Sequence, residues 1–219
     1  MKVDIIAATY HQNEPLKCLI NSLKCQTNSN WNLYIIHDGE DDFYHNLKKD
    51  LQDNNYLTDQ IILDHTPEKA KEPWGHASRK FGIKKYIKEG SNVTVLTNGD
   101  NYHVPIFVDE VIQSFKSSPD LKFLFWNGIH SHRNKGNHAA KYPRNAENYC
   151  LLEASLRYTH IDMASAAIKN NIVKDVGFNH VVHDADWRFF KDILQSNHFY
   201  KKTHKNLIIK NNKVLFVHN

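Results

Sequence analysis

Along the first 126 residues, short apolar runs alternate with amphipathic segments, the pattern left by repeated βαβ units. Residues 3–8, 32–37, 60–63, 93–97 and 121–126 read as strands. Residues 15–25, 42–52, 74–88 and 105–117 read as helices. In the first helix Leu16, Leu19, Ile20 and Leu23 recur at helical spacing, and Pro15 suits a first-turn position. Cys18 and Cys25, seven apart, are expected on the buried face of that helix. Parallel strands linked in this way cross over right-handedly and bring their C-terminal ends to one rim.

The second half is patterned differently. Residues 131–148 are polar, basic and rich in histidine and asparagine, and have no period. They read as a long loop that covers a site, grips an anionic ligand or is simply solvated. A strand is expected near residues 161–168, a short helix near 170–175 and a stronger helix over 184–195. The last apolar stretch, 207–217, reads as a β-hairpin with Asn211-Asn212 at its turn. No repeat, low-complexity tract or linker divides the 219 residues, so a single domain is expected.

Composition narrows the classes. Hydrophobic residues make up 41% and aromatics 11% of the chain, which suits a globular core and excludes a disordered one. No apolar run approaches the roughly 20 residues of a bilayer span, and Asp4 interrupts any signal-like start, so a cytoplasmic address is expected. The net charge of +4 suits an anionic substrate but does not argue for nucleic acid. Three cysteines without a Cys-x-x-Cys spacing indicate neither a disulfide framework nor a zinc knuckle. The 15 histidines are scattered, and most read as surface residues.

Chemistry concentrates at four expected strand or helix ends. These are Ala8-Thr9-Tyr10-His11, then His37-Asp38-Gly39-Glu40-Asp41-Asp42, then Asn98-Gly99-Asp100-Asn101, and finally His183-Asp184-Ala185-Asp186-Trp187. A β-branched strand that delivers a carboxylate to its tip is how open α/β sheets build ligand sites. A hard oxygen ligand there can hold a divalent cation against a phosphate.

In this order the motifs resemble the inverting glycosyltransferases of family 2. That family opens with a strand and Pro-Thr-Tyr-Asn, and carries Ser-Leu near a Gln-Thr in its first helix. Here the chain has Ala8-Thr9-Tyr10-His11, then Ser22-Leu23 and Gln26-Thr27. The family's Asp-Asp-Gly-Ser-x-Asp corresponds to residues 37–42, its Asp-x-Asp to Asn98-Gly99-Asp100 before Pro105, and its Glu-Asp to Ala185-Asp186. Each motif carries little alone; four in sequence over almost the whole chain are specific.

The resemblance implies a GT-A fold: a Rossmann-like three-layer α/β sandwich, with a central, mostly parallel mixed sheet and helices on both faces. Residues 1–126 would bind the nucleotide sugar, and 127–219 would bind the acceptor and supply the base. It implies inverting transfer of a sugar from a nucleoside diphosphate donor, UDP for preference, to a hydroxyl of a glycan acceptor. A divalent metal, Mn²⁺ or Mg²⁺, would assist. Asp100 would hold the metal or diphosphate, joined by His204, and Asp38 would read the nucleobase beside Ala8, Thr9 and Tyr10. Gly99 and Asn101 would help line the donor site, and Arg79 would reach ribose or phosphate.

Two departures from the family pattern matter. Asn98 replaces the first acid of Asp-x-Asp, so the metal site loses one charge, although an amide oxygen can still coordinate a hard cation. Ala185 replaces the glutamate before the base, leaving Asp184 as a rival to Asp186. Asp186 is preferred because it sits beside the aromatic Trp187, which reads as core or as a sugar-stacking platform. Asp184 suits a helix N-cap instead. Asp38-Gly39 alone would pass for a turn, and Asp100 for the cap of the helix after it. The rival functions are a non-catalytic sugar-nucleotide or glycan-binding module and, lower, a nucleotidyltransferase. The latter would need a Gly-rich phosphate loop that residues 8–12 do not offer. A place as one domain of a longer protein is left open by the sequence.

Overall fold

The computed structural model describes residues 1–71, 74–90, 92–130, 150–199 and 206–218. Its first half runs β1 (Val3–Thr9), α1 (Glu14–Lys24), β2 (Trp31–His37), α2 (Asp42–Asp53), β3 (Ile61–His65), α3 (His76–Tyr86) and β4 (Val93–Asn98). A two-residue strand β5 (Tyr102–His103), α4 (Phe107–Ser117) and β6 (Phe123–His130) follow. The remainder is β7 (Cys150–Leu152), a 3₁₀ turn (Met163–Ser165), β8 (Ala166–Lys169), α5 (Asn170–Val176), α6 (Ala185–Gln195) and β9 (Ile208–His218).

These strands form one mixed sheet in the order β3-β2-β1-β4-β8-β6-β9-β5, with β7 paired to the far end of β6. Strands β1 to β4 are mutually parallel, and β8 is antiparallel to β4 and β6. The register sets Ala8 beside Asn98 on one side and Thr9 beside His37 on the other. Chain order reverses between β1 and β4, which is where an open α/β sheet leaves a crevice at its C-terminal rim.

Strand residues alternate between two cores, one on each face of the sheet. Ile5, Ile35 and Val95 pack with Leu19 of α1, Leu47 of α2 and Val111 of α4. Their chain neighbours Ile6, Ile36 and Leu96 pack with Ile83 of α3, Ile172 of α5 and Phe189 of α6. The expected three-layer α/β sandwich is therefore present. Packing, not capping, holds α1: Asn13 makes no side-chain cap bond, a loss of about 1 kcal/mol. Each fully buried Leu or Ile on its inner face is worth about 1.5–3 kcal/mol.

Three expectations are corrected. Cys18 and Cys25 are exposed. At about 100° per residue they do share a side of α1, but Leu16, Leu19, Ile20 and Leu23 turn the opposite side inward. Residues 161–168 are not one strand, because Asp162 accepts from Ala164 N and caps a 3₁₀ turn before β8 begins. The C-terminal stretch is not a hairpin but the continuous strand β9, parallel to β6. Its register slips between Trp126↔Asn211 and Asn127↔Val214. This bulge uses the turn-forming residues without reversing the chain. Asn127 Nδ2 donates to Asn212 O (2.9 Å) and Lys213 N to Asn211 Oδ1 (3.0 Å), satisfying groups the ladder leaves open. The histidine-rich segment, residues 131–148, lies outside the described residues.

Candidate functional site

At the crevice between β1 and β4 lies a cavity of about 540 Å³. Ala8, Thr9 and Tyr10 enter it from the end of β1, Asp38 from β2, and Asn98 and Asp100 from β4. Gly75, His76 and Arg79 at the start of α3, with His183 and Asp186 at the start of α6, close the other side. Sequence reasoning named most of these. Asp38, Asp100 and Asp186, more than 140 residues apart at the extremes, line this one cavity.

Each side chain is held for a reason. Asp38 Oδ1 accepts from Ala70 N at 2.8 Å, which fixes the carboxylate and leaves Oδ2 for a ligand. Thr9 Oγ1 donates to Gln12 Oε1 at 3.2 Å, and Gln12 Nε2 donates to Asp100 Oδ2 at 3.0 Å. Gln12, which the motif reading passed over, thus aims Asp100. The second oxygen, Asp100 Oδ1, is buried without a partner among the described residues. Gly99 is required by this arrangement. A Cβ there would stand 2.8 Å from Gln12 Oε1 and 2.9 Å from Thr9 Oγ1.

Arg79 does not extend to solvent. It is 3% exposed, and its Nη1 donates to Trp74 O at 2.7 Å and to His76 Nδ1 at 3.3 Å. Its Nη2 donates to Asn98 Oδ1. The amide that replaces an acid at position 98 therefore accepts from a buried guanidinium. His76 Nε2 donates in turn to Val182 O at 3.1 Å, tying α3 to the loop that carries His183. Burial, reinforced by the Arg79 charge, pushes His76 down to about 4, so it is neutral at physiological pH. Asn101 is fully buried and turned inward, donating to Thr97 Oγ1 at 2.9 Å, so it supports the β4 tip from below.

Asp186 stands apart electrostatically. Desolvation raises it to about 6; the nearby Asp162 adds to the rise, and Arg79 and His183 oppose it. It lines both the first cavity and a second one of about 220 Å³, walled by His130, Tyr158, Asp162 and Trp187. Its rival Asp184 does take the N-cap position of α6, but its side chain caps nothing. Instead Asp184 Oδ1 accepts from Arg188 Nε at 2.8 Å, and that bond holds it below the usual carboxylate range. A carboxylate stabilised in this way is the poorer proton acceptor. Trp187 packs against the core beneath α6 and also lines the second cavity.

His204 lies outside the described residues. A different histidine comes to the β4 tip. His218 ends β9 next to the pairing Tyr102↔Val217 and stacks on His130 with centroids 3.9 Å apart; burial holds it below the ordinary imidazole range, with the Asp162 and, more weakly, Asp100 carboxylates opposing. Only the pairing of β9 with β5 and β6 brings it there, and a hairpin reading of the C-terminus conceals that.

No family model and no curated protein sequence matches the chain. Its likeness is to solved structures. The crystal structure of S. aureus TarS superposes with a TM-score of 0.70 at 16% identity, covering 100% of this chain and 37% of that one. TarS 1-349 in complex with UDP-GlcNAc gives 0.68 at 15% identity, covering 99% of this chain and 58% of that one. The mannosyltransferase PcManGT from Pyrobaculum calidifontis, in complex with GDP-Man and Mn²⁺, gives 0.63 at 15% identity, with coverages of 99% and 56%. The chain thus spans between about a third and three fifths of the length of these proteins. At such identities the likeness is one of fold: the sheet and its two helical layers form a GT-A-like α/β sandwich.

Proposed function

We propose that the chain is an inverting glycosyltransferase, moving a sugar from a nucleoside diphosphate donor, UDP for preference, to a hydroxyl of a glycan acceptor. One observation carries the reading. Asp186, raised to about 6, stands in the wall shared by two cavities. A general base must touch the acceptor hydroxyl on the face of the sugar opposite the leaving diphosphate, and its best pKa lies near the working pH. The larger cavity then takes the donor. Asp38 Oδ2 is positioned to accept from a nucleobase N–H, with Tyr10 beside it, and the cations Lys69 and Lys71 line the same cavity. The smaller cavity takes the acceptor, with Trp187 as a wall. That TarS 1-349 binds UDP-GlcNAc and PcManGT binds GDP-Man on the same fold supports this assignment.

The residues also fit a divalent cation. The unpartnered, buried Asp100 Oδ1 is a hard oxygen donor lacking only a ligand. Asn98 is engaged by Arg79 and is not counted. A metal held by Asp100 and the donor's phosphates would act as a Lewis acid for the leaving diphosphate. With one protein carboxylate, affinity for the free ion is expected to be low and to rise with donor present.

The test is release of nucleoside diphosphate from UDP-GlcNAc, UDP-glucose and GDP-mannose with Mn²⁺, with and without acceptor glycans. Asp186→Asn is expected to lower turnover by about 10²–10⁴-fold with donor affinity nearly unchanged in calorimetry. Turnover retained in that variant removes Asp186 as the base. Donor binding with no turnover in the parent chain establishes the binding-module reading instead.

A further inference from the structure

Beside the donor cavity, but outside its wall, three side chains form a second cation-binding constellation that the proposed transfer does not use. We propose that His11, His37 and Asp41 make a Zn²⁺ site, pinning the end of β1 to the loop that joins β2 and α2.

One donor atom from each of the three residues lies within 4.8 Å of the others. His11 Nε2 and Asp41 Oδ2 are 3.0 Å apart. Ligands on a tetrahedral ion with bonds of about 2.0–2.1 Å stand roughly 3.3 Å apart, so the His11–Asp41 pair is already near that spacing and His37 has at most about 1.5 Å to close. Two imidazoles and one carboxylate suit Zn²⁺ better than Mg²⁺ or Ca²⁺, which prefer all-oxygen shells.

The supporting contacts are those of a metal site. His37 is fully buried, and its Nδ1 is 2.9 Å from Gly39 O, a bond in which Nδ1–H must be the donor. That leaves the lone pair on Nε2, which is buried with no partner among the described residues. A ligating histidine held by a backbone carbonyl through its other nitrogen is the usual arrangement around zinc. Asp41 is fixed likewise. Its Oδ1 accepts from Tyr44 N at 2.8 Å as the cap of α2, leaving Oδ2 to turn towards His11.

His11 itself has φ +50, a left-handed conformation uncommon for residues other than glycine. Its ring stacks on Tyr10 (centroids 4.0 Å apart) and meets Phe43 at a tilt (4.6 Å). The strained backbone and the stacked ring together hold the imidazole over Asp41. On metal binding His11 takes the tautomer that carries its proton on Nδ1, so that Nε2 offers its lone pair to the ion and Asp41 Oδ2 turns from accepting that proton to ligating. Because His11 follows Tyr10 and His37 precedes Asp38, the ion would brace two residues of the larger cavity's wall. Its binding does not depend on that cavity's function.

Co²⁺ titration of the whole chain reads the site directly. A visible ligand-field band of low symmetry is expected, lost when Zn²⁺ is added but not when Mg²⁺ is added. His11→Ala and Asp41→Asn should each weaken Zn²⁺ at least about tenfold, the loss that outer-sphere changes alone can cause. Both should fold, since His11 is exposed and asparagine keeps the helix cap; unfolding midpoints in EDTA check this. Zn²⁺ should raise the midpoint of the parent chain and not of the variants. The second described cluster of this kind, His130, Asp162 and His218, serves as the control through Asp162→Asn. The proposal is overturned by a parent chain without the band, by a band unchanged in both variants, or by a band that Asp162→Asn abolishes.

Discussion

Arg79 shows how one buried charge serves several neighbours. Its guanidinium fork bonds Trp74 O, His76 and Asn98, and its field also lowers the proton affinity of Asp186. A neutral replacement removes both effects, and they can be separated. Arg79→Gln is expected to destabilise the fold by about 1.5–3 kcal/mol, the usual worth of hydrogen bonds to a charged group. If Asp186 is the base of the proposed transfer, Arg79→Gln should also move the lower limb of that reaction's pH–rate profile above about 6, since the carboxylate would lose the larger of its two compensating charges. A purely structural role for Arg79 lowers activity at every pH and leaves the limb in place. In the sequence, the family resemblance marked Arg79 as a residue for the nucleotide, with a solvated surface arginine as the alternative. Its burial was not legible there, since it depends on Gly75, where φ is +70 and a Cβ would stand 2.9 Å from that of Ala8. That close approach draws the start of α3 onto β1.

At the level of elements, the first four strands and their helices were readable from apolar runs, because parallel strands buried on both faces are continuously hydrophobic. The second half was less legible, since β7, β8 and β9 depend on partners distant in sequence. Asn211-Asn212 looks the same in a bulge as in a turn. The Gln26-Thr27 pair, visible as a motif, proves to be a strut. Gln26 Nε2 donates to Ser22 O (2.9 Å) and Val104 O (2.8 Å), while its Oε1 accepts from Val108 N (2.9 Å) at the start of α4. Thr27 N donates to Pro105 O at 2.9 Å. The strut therefore fixes the loop just after Asp100 against the end of α1, and stands in for a cap that Ile106 cannot give α4. Gln26→Ala leaves Val108 N and Val104 O without these partners and should cost about 1–3 kcal/mol in urea unfolding. Gln26→Glu should restore the bond from Val108 N but not those to the carbonyls, and should fall between the two. Equal stability of all three chains would show that water replaces the strut.

For the molecule as a whole, the balance of buried titratable groups sets how stability depends on pH. Burial pushes His103, stacked on Phe107 at 4.2 Å, down to about 3. Burial and the Arg79 charge bring His76 to about 4, against an ordinary 6.5. The unfolded chain takes up protons on both histidines between about pH 6.5 and 4, while the native state refuses them. Their contribution is complete above that window and is lost as pH falls through it. Asp186 works in the opposite sense. Raised to about 6 from an ordinary 3.8, it binds a proton more readily in the native state over roughly the same range. Two protons on these histidines favouring the unfolded chain against one favouring the native state leave a net slope of at least about 1.4 kcal/mol per pH unit, to which His218, also held below its ordinary value by burial, adds in the same sense. Urea unfolding at intervals between pH 4.5 and 6 is expected to show stability falling with that slope as the solution is acidified. His103→Leu removes one of these histidine contributions, so the slope should fall by about 1.4 kcal/mol per pH unit. If the parent and the variant keep the same slope, His103 is not held neutral, and its place between β5 and α4 must be wetter than the packing shows.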